Sequence, residues 1–278
     1  MKKWVYTLMD IVKGVPAVSP LALASAVLRP RNVPIVLADT WRSYRHRAGR
    51  SLPSITPANL LKCEQPVTVR VGEHGVFPHY VGESQVCELV AMHRPARVFE
   101  FGTCSGSTTA MIAMNTPDST QIFTLDLPPD GPIPEHASDM NMIAAARAAL
   151  GKCFRHTPWF GTRIHQLLGD SESFDFSTYF DGIDFVVVDA SHTYHFMFVD
   201  SMNAFRMLRV GGVILWHDYD SARSEYGVTR FLDRLRKRHG LPVHRLSSPE
   251  GESRYAVLHA DTAALDKLKV LARRPETF

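Results

Sequence analysis

Glu100, Asp126, Asp170, Asp189 and Asp218 each stand at or just past the end of an apolar run, in "VFEFGTCSGSTT", "QIFTLDL", "IHQLLGD", "IDFVVVDAS" and "VILWHD". Two histidines accompany them: His192, three residues after Asp189 in "DASH", and His217, immediately before Asp218 in "WHD". Carboxylates gathered on one rim can hold hydroxyls, amines or a cation, and a histidine beside them can take up a proton near neutral pH. Between the first acid and the segment that follows lie Gly102, Thr103, Ser105, Gly106 and Ser107, a loop that looks suited to phosphate. A carboxylate at its mouth would repel phosphate. The loop also lacks the lysine of GxxxxGK[ST] and spaces its glycines G-x-x-x-G rather than G-x-G-x-x-G.

A ligand carrying an ammonium or sulfonium cation would suit Glu100, directly or through water, and Gly102 and Gly106 would let backbone come close to it. Asp126 follows 26 positions later, a spacing that suits a carboxylate accepting both hydroxyls of an adenosine ribose. Asp170 and Ser171 could then meet an adenine edge. The ligand implied is adenosine-bearing, cationic and free of phosphate. S-adenosylmethionine fits that description; NAD and ATP do not. An ordinary strand–turn–helix connection stays open as the plain alternative for so short a motif.

The elements that must position these residues emerge from about residue 80. Helical spacing marks 82–93, 107–114, 139–150, 196–210 and 227–238, the fourth expected to stop at Gly211-Gly212. Apolar runs mark strands at 96–101, 121–127, 164–170, 183–191 and 213–218, and "PVHRLS" and "RYAVLHA" read as a hairpin across "SPEGES". Strands apolar on both faces that alternate with helices predict an α/β fold with a doubly wound, mostly parallel sheet. In such sheets ligands bind beyond the carboxyl ends of the strands, which is where the five acids fall. Residues 1–75 are Pro-punctuated and read as an N-terminal extension, with a helix near 3–13 and "NVPIVLAD" as a short strand or buried segment. They could form a lid, a docking arm or a homodimer contact, and neither spacing nor composition decides. Residues 76–278 read as the main domain.

Apolar content of 45% is ordinary for a globular chain of 278 residues, and no run approaches the roughly 20 apolar residues of a membrane span. Asp10, Lys13, Pro16 and Pro20 interrupt the apolar start, so a cleaved signal is not expected. Cys63, Cys87, Cys104 and Cys153 are scattered without zinc spacing and read as reduced thiols of a cytoplasmic protein. The net charge is +3, and residues 1–50 hold nine Lys/Arg against Asp10 and Asp39. The densest run, Arg42 to Arg50 in "WRSYRHRAGR", could bind an anion, nucleic acid or a membrane surface; a solvated face or partner-docking arm is the expected reading.

"FEFGTCSGSTT", "TLDL", "LLGDSESFDF", "VVVDASHTY" and "LRVGGVILWHDYD", in this order, resemble the class I S-adenosylmethionine-dependent methyltransferases. Within that family the chain is most similar to catechol-type O-methyltransferases and to a bacterial group with a VDxSH…GGVxxWHDY signature, from about residue 80 to the end. The resemblance implies a seven-stranded Rossmann-like sheet ending in an antiparallel hairpin. It also implies a cofactor site at Glu100, Gly102, Thr103, Ser105, Gly106, Ser107, Asp126, Asp170, Ser171 and Asp189. The G-x-G-x-G form of the first motif is not met, a departure the catechol-type enzymes share.

Methyl transfer to a hydroxyl needs alignment, exclusion of water and removal of a proton. Where catechol-type enzymes carry a lysine base, this chain has His192, which is expected to act as general base on a small hydroxylated acceptor such as a sugar, a phenol or a secondary-metabolite intermediate. By the same resemblance Asp189, His217 and Asp218 would hold a divalent metal, Mg²⁺ or Mn²⁺, the nitrogen ligand favouring the latter. A metal-free arrangement would use His192 and His217 as base and acceptor-orienting group. Tyr194, Tyr219 and Asp220 would line the acceptor pocket or be loop residues. "DLPPD" (126–130) follows the second strand, whereas the D/N-P-P-Y motif of amino-nitrogen methylation follows the fourth, so a nucleic-acid substrate is not expected. Two alternatives remain: a non-catalytic cofactor-binding partner of a biosynthetic enzyme, and an RNA-directed methyltransferase using the Arg-rich segment.

Overall fold

All six residues of Ile183–Val188 are buried, a pattern that requires helices on both faces of the sheet. In the computed structural model, which describes residues 52–63, 65–70, 83–133, 140–220, 227–248 and 251–278, this run is the central strand β5. Around it lie β1 (Ser54–Ile55), β2 (Arg97–Phe101), β3 (Gln121–Asp126), β4 (Ile164–Leu168), β6 (Leu208–Trp216), β7 (His244–Ser248) and β8 (Gly251–His259). They form one sheet in the order β1-β7-β8-β6-β5-β2-β3-β4. β8 runs antiparallel to both β6 and β7, and every other pair is parallel. The doubly wound sheet with its terminal hairpin is therefore as the sequence predicts, with eight strands in place of seven. The added edge strand β1 comes from the segment read as an extension and pairs with β7.

The helices are α1 (Pro57–Leu61), α2 (Glu83–His93), α3 (Ser107–Met114), α4 (Met140–Ala149), α5 (Tyr194–Met207), α6 (Gly227–His239) and α7 (Thr262–Arg273). On one face, residues of α5, α6 and α7 pack over Phe99, Phe101, Val186, Val188, Ile214 and Trp216. On the other, Val86, Leu89, Val90 and Ile112 cover Val98, Ile122, Phe185, Val187 and Leu215. Each such side chain contributes roughly 1.5–3 kcal/mol by leaving water. The alternation along β2 thus sends Phe99 and Phe101 to one layer, and Val98 and Glu100 to the other.

Two elements differ from the sequence reading. Gly211-Gly212 does not stop α5, which ends at Met207 and passes straight into β6. Gly211, with φ of 76°, lies inside that strand and donates its N–H to the Ala260 carbonyl at 2.8 Å; the register against β5 shifts between Ile183 and Phe185. The glycine pair serves an irregular strand rather than a helix stop, because pairing with β5 and the chain before α7 outweighs the local signal. α7 itself is not anticipated. Asp261 caps it by accepting the Ala264 N–H at 2.8 Å, and Leu265, Leu268 and Leu271 bury its inner face. The expected helix near 3–13, the "NVPIVLAD" segment and the Arg42–Arg50 run lie outside the described residues. All four cysteines are free, and no described helix is long and apolar enough to cross a membrane.

Candidate functional site

β2 sits between β3 and β5, where the chain's winding reverses, and the crevice of a doubly wound sheet opens at that point. Two bonds carry the ladder past the strand ends: Gly102 N–H to Leu125 O at 2.8 Å and Asp189 N–H to Phe101 O at 2.9 Å. The loop after β2 and the loop after β5 are thereby held side by side. A Cβ at Gly102 would stand 2.3 Å from the Asp189 carbonyl oxygen, and φ there is +92°. A Cβ at Gly106, where φ is +78°, would stand 2.4 Å from the Phe154 ring. Both glycines are thus demanded by protein packed against the loop, beyond any demand from a ligand.

Glu100 lies beneath this loop, 1% exposed. Its carboxyl accepts the Thr109 hydroxyl and, at 2.5 Å, the Thr124 hydroxyl. Thr124 is 2.7 Å from the Thr103 hydroxyl, which accepts from Gln166 Nε2 at 2.9 Å. With Thr124 donating to Glu100, Thr103 must donate to Thr124, so a directed chain runs from Gln166 to the buried acid. Burial pushes the Glu100 carboxyl up to about 8 against the pull of the two threonines, while Asp189 and Asp126 add to the rise. Thr103 faces this chain from a buried position, while Ser105 and Ser107 are half-exposed on the loop and at the start of α3.

Asp126 closes the loop from β3. Its Oδ2 accepts the Cys104 N–H at 2.8 Å and its Oδ1 the Leu127 N–H at 2.7 Å. Burial raises this carboxyl, and the backbone donors and Arg147 oppose the rise. Cys104 and Ser105 carbonyls are tied in turn to Gly151 and Cys153 N–H at 2.8 Å each. After β4, Asp170 organises its own turn, its Oδ1 accepting the Glu172 N–H at 3.0 Å. Ser171 follows, its carbonyl accepting Asn203 Nδ2 at 3.2 Å.

Across the crevice stand the histidines. Thr193 caps α5 by accepting the Phe196 N–H, which fixes the loop carrying His192. A Cβ at Gly227, the first residue of α6, would lie 2.2 Å from the His192 carbonyl oxygen, so α6 is seated directly on that loop. His192 Nε2 is 2.6 Å from Asp218 Oδ2, and Arg254 Nη1 on β8 is 3.3 Å from Asp218 Oδ1. Asp218 is fully buried with φ of 59°. His217 places Nδ1 3.0 Å from Asp189 Oδ1 and 3.6 Å from Asp218 Oδ2, and its ring lies 4.7 Å from that of Tyr255. Donation from Nδ1–H to Asp189 selects the tautomer whose lone pair is on Nε2.

The structure therefore brings Asp189, His192, His217 and Asp218 together, on the far side of the loop from Asp126, Asp170 and Ser171. Asp189, His217 and Asp218 do not fit a metal in this arrangement. Their donor atoms are turned on one another, and the Arg254 guanidinium occupies the side of Asp218 where a cation would be repelled. Among the described residues no three His, Cys, Asp or Glu side chains converge as ligands. Tyr219 leaves the acceptor pocket expected for it: it is buried, and its hydroxyl donates to Asp233 Oδ1 on α6 at 3.0 Å. Asp220 is likewise occupied at its backbone, donating to Thr229 Oγ1 at 2.8 Å. Arg254, Tyr255, Thr109, Thr124 and Gln166 were not singled out from sequence. Their roles depend on strand register, such as Glu100 opposite Thr124 and Trp216 opposite Ala256, which no local spacing reveals.

Residues 99–219, which hold every loop of this site, match the family model described as a methyltransferase domain. That stretch is thus similar to a methyltransferase domain. No curated protein matches it in sequence. Among solved structures it is similar to an O-methyltransferase of Bacillus cereus in complex with SAH, at 16% identity over 67% of this chain and 83% of that one, with a TM-score of 0.44. It is similar too to an O-methyltransferase of Streptomyces achromogenes involved in tomaymycin synthesis, in complex with SAM, at 15% identity over 70% and 92%, with a TM-score of 0.45. A SAH-bound methyltransferase of Podospora anserina matches at 17% over 79% and 88%, with a TM-score of 0.46.

Proposed function

We propose that this chain is an S-adenosylmethionine-dependent O-methyltransferase acting on a small hydroxylated acceptor, with His192 as general base. The observation that carries the reading is the pair of carboxylate-held histidines at the ends of β5 and β6. They lie across the switch-point crevice from an acid-rimmed loop with no lysine or arginine in it. That donor set suits the bound group: Asp126 for the ribose hydroxyls, Asp170 and Ser171 for the adenine edge, and the loop from Gly102 to Ser107 beneath the cationic end. When bound, the cofactor supplies an electrophilic methyl group on a sulfonium.

The chain's own residues do the rest. Asp218 holds His192 by Nε2 and, backed by Arg254, stabilises the imidazolium that forms when His192 takes the acceptor's proton. Asp189 holds His217, which orients the acceptor oxygen through Nε2. The half-buried setting of His217 and the buried setting of His192 keep water from competing for the methyl group. Of the segment 1–75 read from sequence as an extension, β1 and α1 join the sheet and core of the catalytic domain read at 76–278. The acceptor's hydroxyl is the reacting group, and its class, sugar, phenol or secondary-metabolite intermediate, is the finer part of the reading.

The test is single-turnover methylation of a panel of phenols and sugars by the wild-type protein and His192→Ala, with SAH binding measured in parallel. The reading expects turnover to fall by about 10²–10⁴ in the variant with SAH affinity unchanged. Equal turnover in both proteins would overturn the role of His192.

A further inference from the structure

The pairing of β8 with β6, Trp216 opposite Ala256, continues past the end of β6, where the Tyr219 N–H donates to the Arg254 carbonyl at 2.9 Å. On its other side β8 is irregular. Its register against β7 shifts between Arg245 and Ser247, and Ser253 fills the gap, its hydroxyl donating to the Leu246 carbonyl at 2.9 Å and accepting the Tyr255 N–H at 3.1 Å. Such a bulge re-aims the side chains it carries. Tyr255 thereby comes beside His217, and Arg254 beside Asp218. Asp218 places Oδ2 2.6 Å from His192 Nε2 and Oδ1 3.3 Å from Arg254 Nη1, so imidazole and guanidinium flank one buried carboxylate.

The Arg254 contact is made through Nη1 alone, and among the described residues neither Nε nor Nη2 has a partner. Those two nitrogens form the planar edge of a guanidinium that receives both oxygens of a carboxylate side-on. Arg245, the neighbouring guanidinium on β7, is engaged instead. Its Nε donates to the Ser253 carbonyl at 2.6 Å, its Nη2 stands 3.8 Å from Asp220 Oδ2, and it lies over the Tyr219 ring. The Arg245 side chain is 11% exposed and that of Arg254 51%. Asp126, Asp170 and Asp189 stand along the rest of the rim, so an anionic group entering the crevice is repelled by them and attracted at Arg254.

We propose that the acceptor is a hydroxy acid, its carboxylate received side-on by Nε and Nη2 of Arg254 while its hydroxyl meets His192. This rests on the O-methyltransferase reading of the crevice. Because Arg254 and His192 share Asp218, the guanidinium sets which end of the acceptor faces the base. A monoanion suits the site better than a phosphate dianion, since one guanidinium that already faces Asp218 carries too little charge for two more on an acidic rim. Arg254 is thus a specificity-determining residue as well as the support of Asp218.

Calorimetric titration of the protein saturated with S-adenosylhomocysteine tests this in wild type, Arg254→Gln and Arg254→Lys. The probes are salicylate, gallate and lactate, each beside its methyl ester, with catechol monophosphate as the phosphate counterpart. The wild type should bind the acids about 10- to 100-fold more tightly than their esters, the worth of hydrogen bonds to a charged group. Arg254→Gln should erase that ratio, and Arg254→Lys, which keeps the charge without the planar edge, should fall between. Loss of support for Asp218 lowers kcat for acid and ester alike, so the acid-to-ester ratio of Kd and of KM is the readout that a purely structural role would not move. Should Arg254→Gln fail to fold by circular dichroism, the wild type and Arg254→Lys carry the comparison. Acids bound no more tightly than esters by the wild type, a ratio unchanged in the variants, tighter binding of the phosphate, or a methyl ester as the product of an acid would each overturn the proposal and leave methyl transfer to other hydroxyls standing. Failure of the wild type to bind S-adenosylhomocysteine would instead overturn the cofactor reading, and this inference with it.

Discussion

The β3–β2 half of the crevice and the β5–β6 half use the same residue type, a carboxylate at a strand end, for opposite purposes. On the β3–β2 side, Asp126 spends both oxygens on backbone N–H groups and Glu100 is enclosed by threonine hydroxyls. On the β5–β6 side, Asp189 and Asp218 each turn toward a histidine ring. One half fixes loop geometry with carboxyls whose ionisation is opposed by burial. The other couples two titratable rings to carboxylates, which is the form proton transfer requires. Position on a strand end marks a functional rim; the partner across the ladder decides what each acid does there.

The largest expected contrast is between the two sides' single variants. His192→Ala should lower methyl transfer by about 10²–10⁴ while Asp126→Ala leaves the chemical step of bound cofactor nearly untouched. Pre-steady-state methylation at saturating cofactor reads this directly, and equal losses would erase the division between the halves.

Gly102→Ala sharpens the comparison at the seam. Its methyl would stand 2.3 Å from the Asp189 carbonyl oxygen at a φ of +92°, so both halves must move apart. A loss of about 3 kcal/mol in urea unfolding is expected, from strain and overpacking together. A loss below about 1 kcal/mol would show that the two loops are not locked to each other.

The buried half should also declare itself in pH dependence. Glu100 titrates at 4.5 when exposed and at about 8 in the fold, so its contribution to stability is complete below 4.5 and disappears as pH rises through about 8. Asp200 adds a second decline between 3.8 and about 7. Unfolding free energies of Glu100→Gln minus wild type, measured from pH 4.5 to 8, should therefore rise with pH. A flat difference would mean that Glu100 is ionised in the fold. The smallest expected effect is Tyr219→Phe, about 1 kcal/mol for the lost bond to Asp233, with methyl transfer unchanged because this hydroxyl serves α6 and not the acceptor.

Much of this architecture was legible from the chain because apolar periodicity is a local property. "IDFVVVD" reads as a strand covered on both faces, and the acids that end such strands fall on the binding rim whatever the loops do. What escaped was set by pairing at a distance. Arg254 reaches Asp218 only because β8 folds back beside β6, and the Gln166–Thr103–Thr124–Glu100 chain exists only in the observed register of β2, β3 and β4. Gly211 misled for the same reason, since its pairing lies with the residues before α7 rather than with its own helix. The metal expected at Asp189, His217 and Asp218 foundered on Arg254, a cation placed there from 36 residues away.

The most direct test of the account is calorimetric titration of the protein and of Asp126→Ala with S-adenosylhomocysteine. Asp126 is expected to hold the ribose hydroxyls as well as the Cys104 N–H, so wild type should bind in the micromolar range and the variant about 10- to 100-fold more weakly. Absence of binding by the wild type, or equal binding by both, would contradict the assignment of this crevice to the cofactor.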